Sequence, residues 1–145
     1  MARQTRREFM GTSAAGALTL TGMASAQDAA PAAMAIARWK GELKMDEPTD
    51  VMGPKLVRTA VETIGGMKRF VKKGDVVWLK PNIGWERAPE LAANTNPHVV
   101  AEIVKMCLEA GAKTVKVGDN TCHEPKKSYA ASGNEAAAKT AGAEV

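Results

Sequence analysis

The feature that most constrains this chain is a pair of apolar strand patterns separated by a polar loop and a helix. The run GDVVWLKP (74–81) is β-branched and apolar, opens with Gly–Asp and closes at proline. A second run of this kind, KTVKVGD, occupies residues 113–119. Between them, Asn96 and Pro97 are a typical helix cap and first helical residue, and the apolar period that follows ends at Gly111. This order predicts a right-handed crossover between parallel strands.

The pattern before this unit predicts one more strand and one more helix. MAIARW (34–39) is a short apolar stretch that we predict as the first strand. The charged segment KGELKMDEPTDVMG (40–53) contains proline and glycine and is predicted as a loop. A helical apolar period then starts at Pro54 and stops at Gly65 and Gly66, which tolerate the dihedral angles of a helix end.

The pattern after this unit continues the alternation. KKSYAASG and NEAAAKTAGAEV predict two short helices with a break at Gly133 and a cap at Asn134. A further strand opens at Glu144 and Val145. We therefore predict an α/β fold with an open, mostly parallel sheet and flanking helices. A sheet interrupted in this way is incomplete at its C-terminus, so we expect the chain to be the N-terminal part of a longer protein.

The N-terminus carries an ordered series of basic, apolar and small residues. TRREFM places Arg6 and Arg7 before an aromatic residue, and GTSAAGALTLTGM follows without a charge. ASAQ then supplies small side chains at Ala24 and Ala26, which is the pattern that a signal peptidase reads. The apolar run is too short, and too rich in Gly, Ser and Thr, to span a bilayer stably.

This series resembles a twin-arginine translocation signal over residues 1–26, cleaved after Ala26. The resemblance implies the twin-arginine translocation machinery and a signal peptidase as partners, export in the folded state and a periplasmic location. Residues 27–33 would then be a flexible tether, and residues 34–145 the folded domain. The alternative is that the arginines form the basic cap of an amphipathic helix.

The composition argues against nucleic acid as a partner. The net charge of the chain is +4, and the first 26 residues contribute +2 of it. The remaining balance is weak, and no basic stripe alternates with the six aromatic residues.

The two cysteines also limit the chemistry. Cys107 falls in the apolar pattern of a helix, and Cys122 falls in a polar loop. They would pair in an oxidising compartment, or Cys107 would stay unpaired and buried. No cysteine spacing typical of clusters is present, so this segment by itself does not hold an ordinary four-cysteine iron–sulfur cluster.

Polar side chains follow both central strands at the point where each strand ends. In an open parallel sheet, ligands gather outside the carboxyl ends of the strands. If the two strands are neighbours, their polar groups face one crevice. We predict that the ligand-binding side chains of this crevice are Lys80, Asn82, Asn94, Asn96 and Asn120.

The chemistry predicted for this crevice is the binding of an anion. The helix from Pro97 would aim its first N–H groups at the crevice, and Lys80 would add a positive charge, so a carboxylate or phosphate fits best. Lys80 and Asp119 are the candidate catalytic residues, with Asp119 orienting a ligand or accepting a proton. The alternatives are that Asp119 and Asn120 form a turn with nearby backbone and that Lys80 extends into solvent.

The segment after the second strand also contains potential metal ligands. Cys122 and His123 offer a soft sulfur and an imidazole, and we predict them as metal ligands. The alternative is a solvated loop. Trp85 either covers the crevice or docks its own loop onto the domain, and His98 is expected at the surface near the mouth. Motifs typical of dinucleotide-binding, P-loop and serine-hydrolase sites do not occur in the sequence.

Three segments together resemble a known family. IGGMKRFVKKGDVVWLKPNIGW, AANTNPHVVAEIVKMCLEAGAKTVKVGDN and SYAASG with AGAEV are similar to the domain of unknown function 362 (DUF362), from about residue 34 to the end. The KPN and GDN motifs of that family fall on Lys80, Pro81, Asn82, Gly118, Asp119 and Asn120. The resemblance implies an α/β domain of unsettled activity. Some members of the family carry ferredoxin-type cysteine motifs, and this segment has none. Any metal or cluster would therefore be supplied by sequence outside this segment or by another chain, or there would be none.

We therefore expect an exported α/β protein with a polar crevice that binds an anion or a metal. Two hypotheses about its activity stand side by side. In the first, the crevice belongs to a redox-associated enzyme. In the second, the same crevice serves a non-catalytic periplasmic protein that binds a ligand or assists assembly.

Overall fold

The computed structural model describes residues 32–40 and 49–145, and this part of the chain is a mixed α/β fold. Two strands, β1 (Val76–Leu79) and β2 (Thr114–Val117), form a parallel sheet. Two single-turn 3-10 helices are also present, at Met67–Arg69 and Pro89–Leu91. The α-helices of this part, in chain order, are α1 (Thr49–Thr63), α2 (Pro97–Ala110), α3 (Pro125–Ala131) and α4 (Asn134–Thr140).

The sheet confirms the predicted crossover. Strands β1 and β2 pair in parallel from Val76 with Thr114 to Leu79 with Val117, and α2 lies between them in the chain. The strand predicted at Glu144 and Val145 is present as a single parallel bridge, in which Glu144 pairs with Lys116 on the other side of β2. The Glu144 amide donates to the Val115 carbonyl at 2.9 Å, and the Glu144 carbonyl accepts from the Val117 amide at 2.8 Å.

Helix α2 begins and ends at the residues that the sequence predicts. The side-chain oxygen of Asn96 accepts hydrogen bonds from the amides of His98 at 2.9 Å and Val99 at 3.4 Å. These bonds satisfy two of the N–H groups that the first turn of a helix leaves free. At the other end, Gly111 has a φ of 109°, and its amide bonds to the Leu108 carbonyl at 2.9 Å.

The core lies between α2, α4 and one face of the sheet. It is formed by buried apolar side chains of these elements and of the segment before β1, namely Val71, Val100, Val104, Cys107, Val115, Val117 and Ala138. On the opposite face of β1, the side chains of Val76 and Trp78 are 62% and 67% exposed. The helices of the described part therefore pack against one side of the sheet.

The prediction for the start of α1 is wrong. The helix begins at Thr49, so Gly53, a loop signal in the sequence, and Pro54, the predicted first residue of the helix, both lie inside it. Gly53 is the point of close approach to α2, because a Cβ at this position would lie 3.0 Å from Cγ2 of Val99. The predicted end of the helix is confirmed, with Gly65 at a φ of 105°.

The prediction of a first strand over residues 34–39 is also wrong. Residues 32–40 form no strand in the structure, although exposed and half-buried side chains alternate along them. The alternation reflects packing of one side of an extended segment, since Lys55 Nζ lies 5.9 Å from the ring centroid of Trp39. A β-strand also requires a neighbouring backbone to pair with, and the sequence pattern does not report one.

The two C-terminal helices differ from the prediction in one detail. Gly133 separates them as expected, with a φ of 70°. Asn134 is the first residue of α4 and not its cap, because its side-chain amide instead donates to the Thr95 carbonyl at 3.0 Å.

The predicted signal peptide and the first five residues of the predicted tether lie outside the described residues. Within residues 32–40 and 49–145, no helix has the length and apolar character needed to cross a membrane.

Candidate ligand-binding site

The carboxyl ends of β1 and β2 bring Lys80 and Asp119 together. Leu79 and Val117 are paired in the sheet, and the Gly118 amide donates to the Leu79 carbonyl at 3.1 Å. The residues that follow the two strands are therefore neighbours. Lys80 Nζ lies 2.9 Å from Oδ1 of Asp119, and it also donates to the side-chain oxygen of Asn82 at 3.2 Å.

Asp119 is held from three directions. Its Oδ2 accepts a hydrogen bond from the Ile83 amide at 2.8 Å, and its Oδ1 pairs with Lys80. The hydroxyl of Tyr129 accepts from the Asp119 amide at 2.6 Å and donates to the Asp119 carbonyl at 3.0 Å. The side chain of Asp119 is only 8% exposed, so these bonds replace most of its contact with water.

These contacts set the proton affinity of the carboxylate. The hydrogen bond from the Ile83 amide, followed by that from Lys80, holds the pKa of Asp119 below its usual value of 3.8, against the opposing effect of burial. A carboxylate with a lowered pKa is a weak proton acceptor near neutral pH. Both roles predicted for Asp119, orienting a ligand and accepting a proton, stay predictions.

The loop between β1 and α2 is closed by its own side chains. Thr95 Oγ1 accepts from the Asn82 amide at 2.9 Å, and the Thr95 amide donates to the Asn82 carbonyl at 2.8 Å. Asn94 bonds to both backbone groups of Trp85, at 3.0 Å and 2.9 Å, and also donates to the Arg87 carbonyl at 3.3 Å. Hydrogen bonds from side chains, and not the regular backbone hydrogen bonds of a strand or helix, therefore hold the shape of this loop.

A cavity of about 640 Å³ opens next to the Lys80–Asp119 pair. Its volume lies within the range of about 300–1,000 Å³ that is typical of small-molecule sites. Aromatic, apolar and charged side chains line it, and they come from the strand ends, α3, α4 and the last residue: Trp78, Lys80, Val117, Gly118, Asp119, Asn120, Pro125, Lys126, Tyr129, Glu135 and Val145.

The structure brings some of the predicted residues to this cavity and leaves others away from it. Lys80, Asp119 and Asn120 line it, and Asn82 contacts Lys80. Asn94 and Asn96 do not line it. Their side-chain oxygens accept hydrogen bonds within the loop and at the start of α2. The ligand-binding roles assigned to these residues stay predictions.

Cys122 and His123 lie beside the loop, away from the lining of the cavity. Both of their amides donate to the Gly84 carbonyl, at 3.0 Å and 3.1 Å. Nδ1 of His123 accepts from the Glu86 amide at 3.3 Å, and the imidazole packs edge-on against Trp85 at a centroid distance of 5.0 Å. This contact supports the interpretation of Trp85 as a residue that docks the loop.

The described residues do not fit a cluster of protein ligands for a metal. Within residues 32–40 and 49–145, no three His, Cys, Asp or Glu side chains are grouped so that they could hold an ion. Cys107 is buried in α2, where burial raises the pKa of its thiol, and Cys122 is exposed and not joined to it. Metal binding by Cys122 and His123 stays a prediction.

Several residues of the cavity were not singled out in the sequence, among them Trp78, Tyr129 and Lys126. Trp78 could have been found, because it stands two residues before Lys80 and side chains on a strand alternate between faces. Tyr129 and Lys126 lie on α3, a helix of seven residues whose rotation about its axis the short apolar pattern does not define.

Comparison with known proteins gives a match to one family model over part of the chain. Residues 77–145 match the model of the domain of unknown function DUF362. The DUF362 match includes β2, β1 except for its first residue Val76, and every residue that lines the cavity. The extension of the family domain over residues 34–76, expected from the sequence, stays a prediction.

A curated protein is similar to the chain over a shorter stretch. The chain is 46% identical over 57 residues to a thylakoid-associated protein of Synechocystis sp.. This stretch covers 39% of the present chain and 18% of the length of that relative. No solved structure matches the chain significantly.

Proposed function

We propose that the DUF362 region of this chain binds a small anionic ligand in the cavity at the carboxyl ends of β1 and β2. The observation that carries the proposal is the Lys80–Asp119 pair at 2.9 Å, in which the Lys80 side chain remains 60% exposed beside the cavity. Asp119, the side-chain oxygen of Asn82 at 3.2 Å and the Pro81 carbonyl at 3.5 Å hold the ammonium in place. A ligand would bind its exposed charge by replacing the weaker of these contacts.

Two lysine and two carboxylate side chains line the cavity, so their formal charges cancel, and the support for an anion comes from how these groups are paired. Two carboxylates line it, and both have a lysine partner: Asp119 pairs with Lys80, and Glu135 pairs with Lys139 at 2.6 Å. Lys126 also lines the cavity and has no ion-pair partner among the residues that the structure describes. An anionic group placed between Lys80 and Lys126 would offset this unpaired charge.

Substitution of the two lysines tests the proposal. A panel of small carboxylates and phosphates is screened by ligand-detected NMR, and the affinity of each binder is measured by calorimetry. We expect Lys80→Ala and Lys126→Ala each to weaken anion binding about 10-fold, which corresponds to about 1.4 kcal/mol. The matched control is Lys127→Ala, because Lys127 is next in the chain, 62% exposed and outside the cavity lining.

The result that would reject an anion site is equal affinity in the Lys80, Lys126 and Lys127 variants. The midpoint of urea unfolding is measured for each variant, so that a loss of affinity is separated from a loss of folded protein. Loss of affinity together with a lowered midpoint in the Lys80 variant would assign that residue a structural role.

We also infer that the protein is exported through the twin-arginine route. The series of basic, apolar and small residues over positions 1–26 supports this inference. Arg6→Lys with Arg7→Lys should retain the protein in the cytoplasm, whereas Arg3→Lys should not. Fractionation of cells that express each variant measures the outcome, and periplasmic protein from the double variant would contradict the inference.

The redox-associated version of the function has a separate test. Protein purified from its own cytoplasm is analysed for bound metal, together with Cys122→Ala and His123→Ala variants. Stoichiometric iron or nickel that is lost in both variants would support a metal centre at this pair. Tight binding of a small molecule without metal would support the competing function, a non-catalytic ligand-binding or assembly protein.

A further inference from the structure

Trp78 forms an aromatic wall of the cavity, and Gly118 permits its position. The six-membered part of the indole lies against Gly118, because a Cβ there would be 3.0 Å from Cζ2 and 3.6 Å from Cη2. Contacts under about 3.4 Å are tighter than most real Cβ contacts, so any larger residue at position 118 would push the indole away. Despite this contact, the side chain of Trp78 is 67% exposed.

Tyr129 forms a second aromatic wall of the same cavity. Its hydroxyl bonds to both backbone groups of Asp119, at 2.6 Å and 3.0 Å, and these bonds hold its phenol ring at the end of β2. Trp78 and Tyr129 therefore present aromatic surface to one space, and Lys80 and Lys126 line that space as well.

We propose that the ligand of this cavity is a flat aromatic anion, with its ring packed against Trp78 and its charged group between Lys80 and Lys126. This inference rests on the proposed function, since it specifies the class of anion. Aromatic rings favour offset-stacked and edge-to-face contacts with other aromatic rings. A volume of about 640 Å³ holds a bicyclic ring together with a carboxylate.

Matched probes separate the contribution of the ring from that of the charge. The probe is 1-naphthoate; octanoate has the same charge without a flat ring, and 1-naphthylmethanol has the ring without the charge. Calorimetry with the full chain should give an affinity for 1-naphthoate at least about 10-fold higher than for either comparison compound.

Variants of the aromatic wall then locate the ring. Trp78→Ala and Trp78→Leu should weaken 1-naphthoate about 10-fold and change octanoate by about 2-fold or less. Gly118→Ala should have a smaller effect in the same direction, because the added methyl group requires the indole that it contacts to shift by a few tenths of an ångström. The control is Trp85→Ala, since Trp85 is also exposed but lies outside the cavity lining and contacts His123.

The outcomes distinguish a failure of this inference from a failure of the proposed function. If the lysine variants weaken both anions while the Trp78 variants leave 1-naphthoate unchanged, the anion site stands and the aromatic ligand is rejected. Equal affinity of the unsubstituted protein for octanoate and 1-naphthoate also rejects it. If the lysine variants bind both anions normally, the proposed function fails and this inference fails with it. If neither anion binds, this inference fails, and the panel of carboxylates and phosphates still decides the proposed function.

Discussion

Asp119 joins three parts of the molecule through one side chain and its backbone. Its carboxylate bonds to the Ile83 amide of the loop and to Lys80 after β1, and its backbone bonds to Tyr129 of α3. A buried carboxylate that loses its partners retains the cost of desolvation, so the group contributes to stability only while it is ionised and bonded. Asp119 therefore supports the site chiefly by positioning its neighbours.

Asp119 should make the free energy of unfolding of the protein depend on pH. The pKa of Asp119 is lowered in the folded protein, so its contribution is present above the ordinary value of 3.8 and is lost as the pH falls through the folded pKa. Asp119→Asn should lower the free energy of unfolding by about 1–3 kcal/mol at neutral pH. Urea unfolding at a series of pH values should show this difference shrinking below pH 3.8.

The control for this experiment is Glu62→Gln, which removes an exposed carboxylate from α1. It should change the free energy of unfolding by less than about 0.5 kcal/mol. A difference between wild type and Asp119→Asn that stays constant from neutral to acidic pH would show that the charge of Asp119 is not what stabilises the protein.

At the scale of residues, the sequence predicted that Lys80 and Asp119 follow the strand ends. It did not predict that Ile83 and Tyr129 bond to Asp119. Lys80 and Asp119 follow two strands whose pattern is clear, and the sheet places equivalent ends side by side. Tyr129 was missed because its contact depends on how a seven-residue helix is rotated, which packing decides and local sequence does not.

At the scale of elements, the loop between β1 and α2 explains why its sequence is rich in amide side chains. Asn94 and Asn96 satisfy backbone groups of the loop and of the start of α2, while Asn82 and Thr95 close the base of the loop. Loops lack the regular backbone bonds of strands and helices, so short polar side chains replace them. Amide-rich segments at strand ends therefore indicate loop structure as well as binding.

The end of α2 provides a prediction with a matched pair of glycines. Gly111 and Gly74 both have positive φ, at 109° and 90°, and they touch through a hydrogen bond from the Gly74 amide to the Gly111 carbonyl at 2.8 Å. A Cβ at Gly111 would lie 3.1 Å from Cα of Lys73, whereas a Cβ at Gly74 would meet nothing within 4 Å.

Both substitutions to alanine should destabilise the protein, but by different amounts. Gly74→Ala should cost about 1–2 kcal/mol from the left-handed backbone alone. Gly111→Ala should cost about 1–3 kcal/mol more, because the backbone of Lys73 must move. Thermal and urea unfolding measure the difference, and equal costs would show that the contact with Lys73 relaxes freely.

The elements that the sequence mispredicted share a cause. Gly53 carries a loop signal and Pro54 was predicted as the start of the helix, but the close approach of α1 to Val99 requires a small residue inside the helix. Residues 34–39 alternate like a strand, yet strand formation depends on a partner elsewhere in the chain. Local patterns report the surroundings of each residue, whereas these two features depend on residues distant in the sequence.

At the scale of the whole molecule, the described part of the fold is a sheet covered on one face. Val115 and Val117 are buried under α2 and α4, whereas Val76 and Trp78 on the other face remain exposed. Parallel sheets are usually covered on both faces. The two faces should therefore respond differently to substitution.

This asymmetry can be measured with two valines of the sheet. Val76→Thr should change the free energy of unfolding by less than about 0.5 kcal/mol, because the side chain is already 62% exposed. Val115→Ala should cost about 2 kcal/mol, because this side chain is fully buried in the core. A large cost for Val76→Thr would show that this face is covered in solution.

The hydrogen bonds between Tyr129 and Asp119 also join α3 to the end of β2, so a displacement of α3 would act on the end of this strand. A molecule that enters beside Tyr129 and tilts α3 would strain the hydroxyl bonds at the tip of β2. Since the same aspartate anchors Ile83, that strain would reach the segment between β1 and α2. We expect amide exchange at Ile83 to slow when such a molecule stiffens the junction and to quicken when it pulls the junction apart.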